Sequence, residues 1–158
     1  MKTGLVILIS LLLYCNISLA QDFRNVNWGD SPEDVKMKET AGLLKENNLS
    51  ARGVESLAYV EFTDSSKYYT YTYIFNDNKL KGVRIKTAYL TDNTRLKALS
   101  LYQEVLADYQ SKYENVKEEQ KSGEEFKSIY VNMKEKRIHV VVKKENNEFY
   151  LLESIFKN

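Results

Sequence analysis

The sequence predicts an α+β fold in which an antiparallel β-sheet has its helices packed on one face, in the order helix, three strands, helix, three strands. Aromatic and β-branched residues are concentrated between residues 54 and 90 and again after residue 126, as in strands. Between these regions, apolar residues recur at intervals of three and four, which indicates a long helix. No solenoid-length repeat and no Gly- or Pro-rich linker divides the chain, which predicts a single domain.

The first helix is predicted to begin at Pro32. Ser31 can cap it, and proline suits the first helical position because the N–H that proline lacks would have no partner there. Beyond Val35 the apolar residues lose helical spacing, so we expect a short helix that has stopped by Gly42.

The strands Tyr68 to Phe75 and Leu80 to Tyr89, which follow a first strand at Val54 to Phe62, form a predicted hairpin. Its register depends on whether a two-residue turn or a three-residue loop joins them. We favour a three-residue loop that ends in an asparagine in the left-handed conformation. This loop sets Tyr71 across from Val83, whereas the two-residue turn sets Tyr71 across from Arg84. This loop separates apolar from polar side chains, with one face holding Tyr69, Tyr71, Tyr73, Phe75, Val83 and Ile85 and the other Thr70, Thr72, Arg84 and Lys86.

The strongest periodic signal predicts a helix from Thr94 to Tyr113, about 30 Å long at the usual rise per residue. Its apolar stripe is Leu96, Leu99, Tyr102, Leu106, Tyr109 and Tyr113. The polar run Glu114 to Glu125 is expected to hold the end of this helix and a turn. Three further strands are predicted at Phe126 to Met133, Arg137 to Lys143 and Phe149 to Phe156.

Residues 1–20 have the pattern of a secretory signal peptide. Lys2 supplies the positive start, Leu5 to Leu13 is an apolar run, and Ser18-Leu19-Ala20 is a small-residue cleavage site. The apolar run is shorter than the ~20 residues that a membrane-spanning helix needs. We therefore expect an exported single domain of residues 21–158, in the periplasm or outside the cell, with no transmembrane helix after cleavage.

Cys15 is the single cysteine of the chain and offers an alternative, a lipoprotein anchored at Cys15. Tyr14 opposes this alternative, because lipoprotein signals usually have a small residue before the cysteine. Cleavage after Ala20 leaves no cysteine, which excludes disulfides and thiolate chemistry from the exported chain. It also removes Lys2, one of 23 basic residues, and leaves 22 to balance the 22 acidic ones. Basic and acidic residues are interleaved along the chain and form no cluster of Lys and Arg, so nucleic-acid binding is not expected.

The sequence contains no strong catalytic or metal-binding motif. Its single histidine, His139, lies between Ile138 and Val140 in a predicted strand and is expected to point away from the face that they line. One histidine cannot supply the several ligands of a zinc site, and no nucleophile elbow accompanies it. We therefore expect no catalytic residue, no cofactor and no metal.

Tyrosine is unusually frequent, with 12 residues in the chain, of which eleven follow the signal segment. Tyrosine rings can form a stacking surface for sugars, peptides or a protein partner. The stripes on the hairpin and on the long helix instead predict core, in which the two sets of rings pack against each other. Trp28, Tyr68 and Tyr130 are the candidate interaction surface.

The segment Trp28-Gly29-Asp30-Ser31 with Val35 resembles the W-G-x-S-x-x-x-V start of small exported bacterial proteins of uncharacterised function. Tyr73-Ile74-Phe75 with Lys79-Leu80 is similar to the Y-x-F…K-L hairpin of that group. Lys112-Tyr113 is similar to its K-Y-G helix end, with a glutamate in place of the glycine. The element order is also similar to the fold of β-lactamase inhibitory protein and of small outer-membrane assembly lipoproteins. These resemblances imply a fold and carry no catalytic residue.

The predicted export and the lack of a catalytic motif together predict a non-enzymatic binding or interaction module of the bacterial cell envelope. The alternative is a small hydrolase that uses carboxylates, because acidic residues are plentiful. A cleft with two converging acidic side chains would favour the enzyme, whereas an exposed aromatic patch or an open strand edge would favour the binding module.

Overall fold

The structure, a computed structural model, describes residues 23–49, 54–119 and 125–158. The predicted signal segment, its cleavage site and Cys15 lie outside these residues. The described residues form two helices, α1 (Pro32–Lys38) and α2 (Thr94–Lys112), neither of which is long and apolar enough to cross a bilayer. The strands are β1 (Gly42–Leu49), β2 (Val54–Phe62), β3 (Lys67–Asn76), β4 (Lys79–Tyr89), β5 (Val116–Glu119), β6 (Glu125–Asn132), β7 (Lys136–Glu145) and β8 (Glu148–Lys157).

All eight strands form one antiparallel sheet in the order β1-β2-β3-β4-β8-β7-β6-β5. The first four strands form one meander, the last four form another, and the pairing of β4 with β8 joins them. The predicted order of helix, three strands, helix, three strands is therefore wrong, because each helix is followed by four strands. Since strands predominate and only two helices accompany them in the described residues, α+β is also a poor description of the class.

The two strands missing from the prediction are the edges of the sheet. An edge strand pairs on one side only, so it does not need the alternating apolar pattern that identifies a strand. Leu43 and Leu44 of β1 are exposed, and in β5 every residue after Val116 is exposed. Residues 116–119 lie in the polar run predicted as a helix end and turn, and that prediction is wrong for them. The other six strands agree with their predicted bounds to within two residues at each end.

Both helices pack on the same face of the sheet. Residues paired across neighbouring strands share a face, and one such row is Tyr73, Val83, Ile155 and Ile138. The core under α2 consists of Ala98, Tyr102, Leu106, Tyr109, Ile129, Val131, Ile138, Val140, Val142 and Leu151. The core under α1 and the segment before it consists of Val26, Val35, Leu57, Tyr59, Tyr71, Tyr73, Phe75, Leu80 and Val83.

Most of the tyrosines in the predicted stripes are core residues, but the two sets of rings do not pack together. Tyr71 and Tyr73 are buried in the core under α1, whereas Tyr102 and Tyr109 are buried in the core under α2. The expected contact between the hairpin rings and the helix rings is therefore wrong. The reason is that the segment before α1 covers the hairpin, with the ring centroid of Phe23 5.8 Å from that of Tyr71.

The register of the β3–β4 hairpin differs from both registers considered from the sequence. Asp77 and Asn78 form a two-residue turn in which both residues have positive φ, 51° and 59°, as in a type I′ turn. Lys81 is then an extra residue in β4, a bulge that places Tyr71 across from Ile85. The predicted three-residue loop is wrong. The predicted faces are nevertheless confirmed, because the bulge restores the alternation that the shorter turn would have reversed.

Helix α1 has the predicted cap, a reciprocal capping box in which Ser31 Oγ accepts from the Asp34 N–H and the Asp34 carboxylate accepts from the Ser31 N–H.

In helix α2 the predicted apolar stripe is wrong at Leu96, which is 67% exposed, while Ala98 is fully buried. The buried side of the helix instead includes Ala98 and Tyr102. Two residues correspond to about 200° around a helix axis, so Leu96 lies on the opposite side.

Replacement of Tyr71 by alanine is expected to lower the free energy of unfolding by ~3–5 kcal/mol, because it removes a large buried aromatic side chain. Thr72 lies on the other face of the same strand, so Thr72→Ala should change that free energy by about 0.5 kcal/mol or less. Urea unfolding followed by circular dichroism measures both variants. Equal losses would contradict the assignment of the two faces.

Candidate functional site

Both cores, with the two helices that contribute to them or pack on them, lie on one face of the sheet, and within the described part of the chain neither core extends to the opposite face. We call this the uncovered face. The strand register places on it, among others, Lys45, Tyr68, Thr72, Arg84, Lys86, Tyr130, Arg137, His139, Lys143 and Phe156. Because the core occupies the opposite face, these side chains are the ones that the sheet presents to solvent.

Aromatic rings on the uncovered face are held by their neighbours. The rings of Tyr130 and His139 stack, with centroids 4.3 Å apart and planes inclined by 8°. The pairing of these residues across β6 and β7 confirms that His139 points away from the core. Lys86 Nζ lies 4.1 Å from the ring centroid of Tyr150, a cation–π distance.

Phe156 lies over the sheet because the residue paired with it is glycine. A Cβ atom on Gly82 would meet Cδ1 and Cε1 of the Phe156 ring at 2.5 Å. A glycine inside a strand often marks such a close approach. Arg84, two residues further along β4, has its guanidinium carbon 5.9 Å from the centroid of the same ring.

A shallow depression of about 390 Å³ lies between the Tyr130 and His139 pair and Phe156. Arg137, an exposed cation, also lines it. The depression thus combines aromatic walls with a positive charge, which is a combination suited to a partner that carries both apolar surface and acidic groups.

Basic residues outnumber acidic ones on the uncovered face. Among the residues with described side chains, the basic ones are Lys45, Lys79, Arg84, Lys86, Lys117, Arg137 and Lys143, and the acidic ones are Glu119, Glu145 and Glu148. The whole chain has a net charge of only +1, so negative charge predominates elsewhere. Because neighbours in a strand point to opposite sides, charges that are interleaved along the sequence can give one face an excess of positive charge.

The three predicted interaction residues lie on two surfaces. Tyr68 and Tyr130 are both on the uncovered face, on β3 and β6, with three strands between them. Four strand spacings correspond to ~20 Å. Trp28 lies on the covered side, where it lines a separate cavity of about 450 Å³ with Lys134 and Lys136.

Arg84, Arg137 and Phe156 were not among the predicted interaction residues. The alternation within each strand indicates that the two arginines point away from the core. Their proximity to Phe156 depends on the pairing of β8 with β4 and β7, and no local pattern predicts a pairing between strands so distant in sequence.

Two acidic side chains converge on the covered side, but both are bonded to Arg24. Arg24 donates from Nη2 to Glu39 Oε1 at 3.1 Å and from Nη1 to Glu61 Oε2 at 2.7 Å. The Tyr73 hydroxyl donates to Glu39, whose side chain is 1% exposed, and the Tyr71 hydroxyl donates to Glu61. These bonds attach the segment before α1 to the sheet.

The pKa values of the side chains bonded around Arg24 fit a role in attaching the segment before α1 to the sheet. Burial disfavours the charge of Glu39, but hydrogen bonds from Arg24 and Tyr73 outweigh it and hold the pKa of the carboxyl below its usual range. Burial and the hydrogen bond to Glu39 raise the pKa of Tyr73 far above its usual range. A general base or acid works best with a pKa near the operating pH. The pKa of Glu39 and the pKa of Tyr73 are both shifted away from neutral pH. No group of three or more His, Cys, Asp or Glu side chains within residues 23–49, 54–119 and 125–158 is placed to hold a metal ion.

No family model, curated protein or solved structure matches the chain. The resemblance to small exported bacterial proteins therefore stays a prediction.

Gly82→Ala is expected to lower the free energy of unfolding by ~1–3 kcal/mol, because the new Cβ atom displaces the Phe156 ring. Gly42→Ala is the matched control, since a Cβ atom there meets only the Val60 carbonyl oxygen, at 3.7 Å. In a Phe156→Ala background the loss caused by Gly82→Ala should disappear, and a double-mutant cycle in urea measures this. The same loss in both backgrounds would show that the ring is not responsible.

Glu39→Gln is expected to lower the free energy of unfolding at neutral pH by ~1–3 kcal/mol, because it weakens a charged hydrogen bond with Arg24. The folded-state pKa of Glu39 lies below the unfolded value, so its contribution is present above about pH 4.3 and is lost as the pH falls through the folded pKa. The difference in stability between wild type and variant should therefore shrink on acidification. Urea unfolding across the acidic range measures it, with exposed Glu148→Gln as control. A constant difference down to about pH 2 would contradict the proposed role of the carboxylate.

Proposed function

We propose that this chain is an exported, non-enzymatic interaction module that binds an acidic protein through the uncovered face. The observation that carries the proposal is the combination of half-buried aromatic rings with exposed cations on one sheet face. Tyr130 and Phe156 are half-buried, and Arg84 and Arg137 beside them are exposed.

A protein partner is favoured by residue type and by size. Aromatic residues and arginine are enriched at protein interfaces and among the residues that dominate binding energy. The rings of Tyr130 and Phe156 already have fixed positions against His139 and Gly82, so binding immobilises few additional side chains. The face extends ~20 Å from Tyr68 to Tyr130, the scale of a protein interface rather than of a small-molecule pocket.

The charge of the face favours an acidic partner. Basic side chains on one face attract an acidic surface, orient it during encounter and disfavour basic partners. Two further observations support the proposal. The predicted signal segment supports a location in the cell envelope or outside the cell, and the two carboxylates that converge on the covered side at Arg24, those of Glu39 and Glu61, are both bonded to it.

Reversal of two charges on the uncovered face tests the proposal. The double variant Arg84→Glu, Arg137→Glu should capture at least about tenfold less of an acidic partner from an envelope extract, because two attractive contacts become repulsive. The control variant Lys134→Glu, Lys157→Glu changes the same number of exposed charges away from this face and should retain capture. Quantitative pull-down with the cleaved protein, read by mass spectrometry, measures both.

The identity and salt dependence of the captured protein complete this test. A partner held by these cations should be acidic and should be released as the salt concentration rises from about 0.1 M to about 1 M. Tyr130→Ala should also weaken capture, because it removes an aromatic contact. Capture of the same protein by wild type and by the Arg84→Glu, Arg137→Glu variant would contradict the proposal, as would a basic protein or a nucleic acid as the principal partner.

A further inference from the structure

A recess lies on the covered side of the sheet, between the two elements that form the cover. Phe23 and Arg24, before α1, form one wall, and Leu101 and Val105 of α2 form the other. Strands β3, β4 and β8 provide the floor. We call this recess the intercover groove. Its volume of about 310 Å³ is sufficient for a small organic molecule.

The lining of the groove is mainly apolar or aromatic. The floor consists of Tyr69, Tyr71, Ile85, Thr87, Leu151 and Glu153. Leu101, Val105 and Ile85 are half-buried, so they retain apolar surface that a ligand could remove from water. Burial of such surface is the general source of affinity for an apolar ligand body.

Two charged side chains line the groove, and only one of them is neutralised by a partner. Arg24 bonds to the carboxylates of Glu39 and Glu61. Glu153 accepts a hydrogen bond at Oε1 from the Tyr109 hydroxyl, and no cation in the described residues forms an ion pair with it. The groove therefore contains one carboxylate whose charge is not balanced by an ion pair.

The surroundings of Glu153 make that charge unfavourable. Burial raises the pKa of its carboxyl above the usual range, and Asp108 on α2 raises it further through like-charge repulsion. The hydrogen bond from Tyr109 and the attraction of Lys136 on β7 act in the opposite direction without cancelling the rise. A positive charge placed beside Glu153 would offset part of this penalty, because a nearby opposite charge favours the charged form of the carboxyl.

We propose that the intercover groove binds a small organic cation, a primary amine with an apolar or aromatic body. The ammonium group contacts the Glu153 carboxylate, and the body lies against Leu101, Val105 and Ile85. An anionic ligand would meet an unbalanced carboxylate and an arginine that is already paired, so charge complementarity selects the cation. The groove is on the opposite side of the sheet from the uncovered face, and its test is independent of the proposed function.

Phenethylamine and 2-phenylethanol are suitable probes, because they share an aromatic body and differ in the charged group. Isothermal titration calorimetry on the cleaved protein at neutral pH should give phenethylamine a Kd of about 1 mM or below and 2-phenylethanol a Kd at least about tenfold higher. Glu153→Gln keeps the size of the side chain and an acceptor for Tyr109, so it should fold and should lose the preference for the amine. Glu148→Gln, an exposed residue of the same strand, should retain the preference.

The site of binding is verified separately from its selectivity. Amide chemical shifts of the labelled protein should change on addition of phenethylamine at residues that line the groove and not at Tyr130 or Arg137 on the uncovered face. Val105→Phe should weaken binding of both probes by narrowing the groove, with circular dichroism to verify folding. Equal affinity for the two probes, an undiminished preference in Glu153→Gln, or no binding of the amine up to about 10 mM would each overturn the proposal.

Discussion

Backbone pairing between β4 and β8 is the contact on which the rest of the molecule depends. It joins two four-stranded meanders by setting Gly82 to Thr87 against Leu151 to Phe156. On the covered side, the junction supplies Ile85 and Glu153, which are paired directly, to the floor of the intercover groove. On the uncovered face, the same pairing places the ring of Phe156 over Gly82, which belongs to the other meander. Both candidate sites therefore require the two halves together, and neither half alone contains a complete site.

Most elements of the fold are predictable because their signals are local. The alternation of β2 to β4 and of β6 to β8 and the periodicity of α2 arise from burial of one side of each element. The edge strands escape prediction for the same reason, since β1 exposes Leu43 and Leu44 and β5 buries almost nothing. The missing edges account for the wrong strand count. The bulge at Lys81 is also not predictable, because nothing in the sequence distinguishes Lys81 from a residue that pairs regularly with β3.

The candidate sites are less predictable than the fold, because they are formed by residues far apart in sequence. The sequence singles out Tyr68 and Tyr130, which share a face, but also Trp28, which does not. Glu153 is one of 22 acidic residues, and no property of its own segment sets it apart. Its distinctive environment comes from Tyr109 on α2, a contact that exists only after the helix has packed across the sheet.

The two edges of the sheet are unequal, and this difference governs how copies of the chain can associate. Strand β1 has eight residues, whereas β5 has four and carries Lys117, Glu118 and Glu119 exposed. Open-ended growth through sheet edges requires two competent edges on every copy. Of the two edges, β5 is the shorter and offers fewer backbone groups to a second copy. A short edge strand that carries charged side chains is one of the features that disfavour edge-to-edge growth of sheets into fibres.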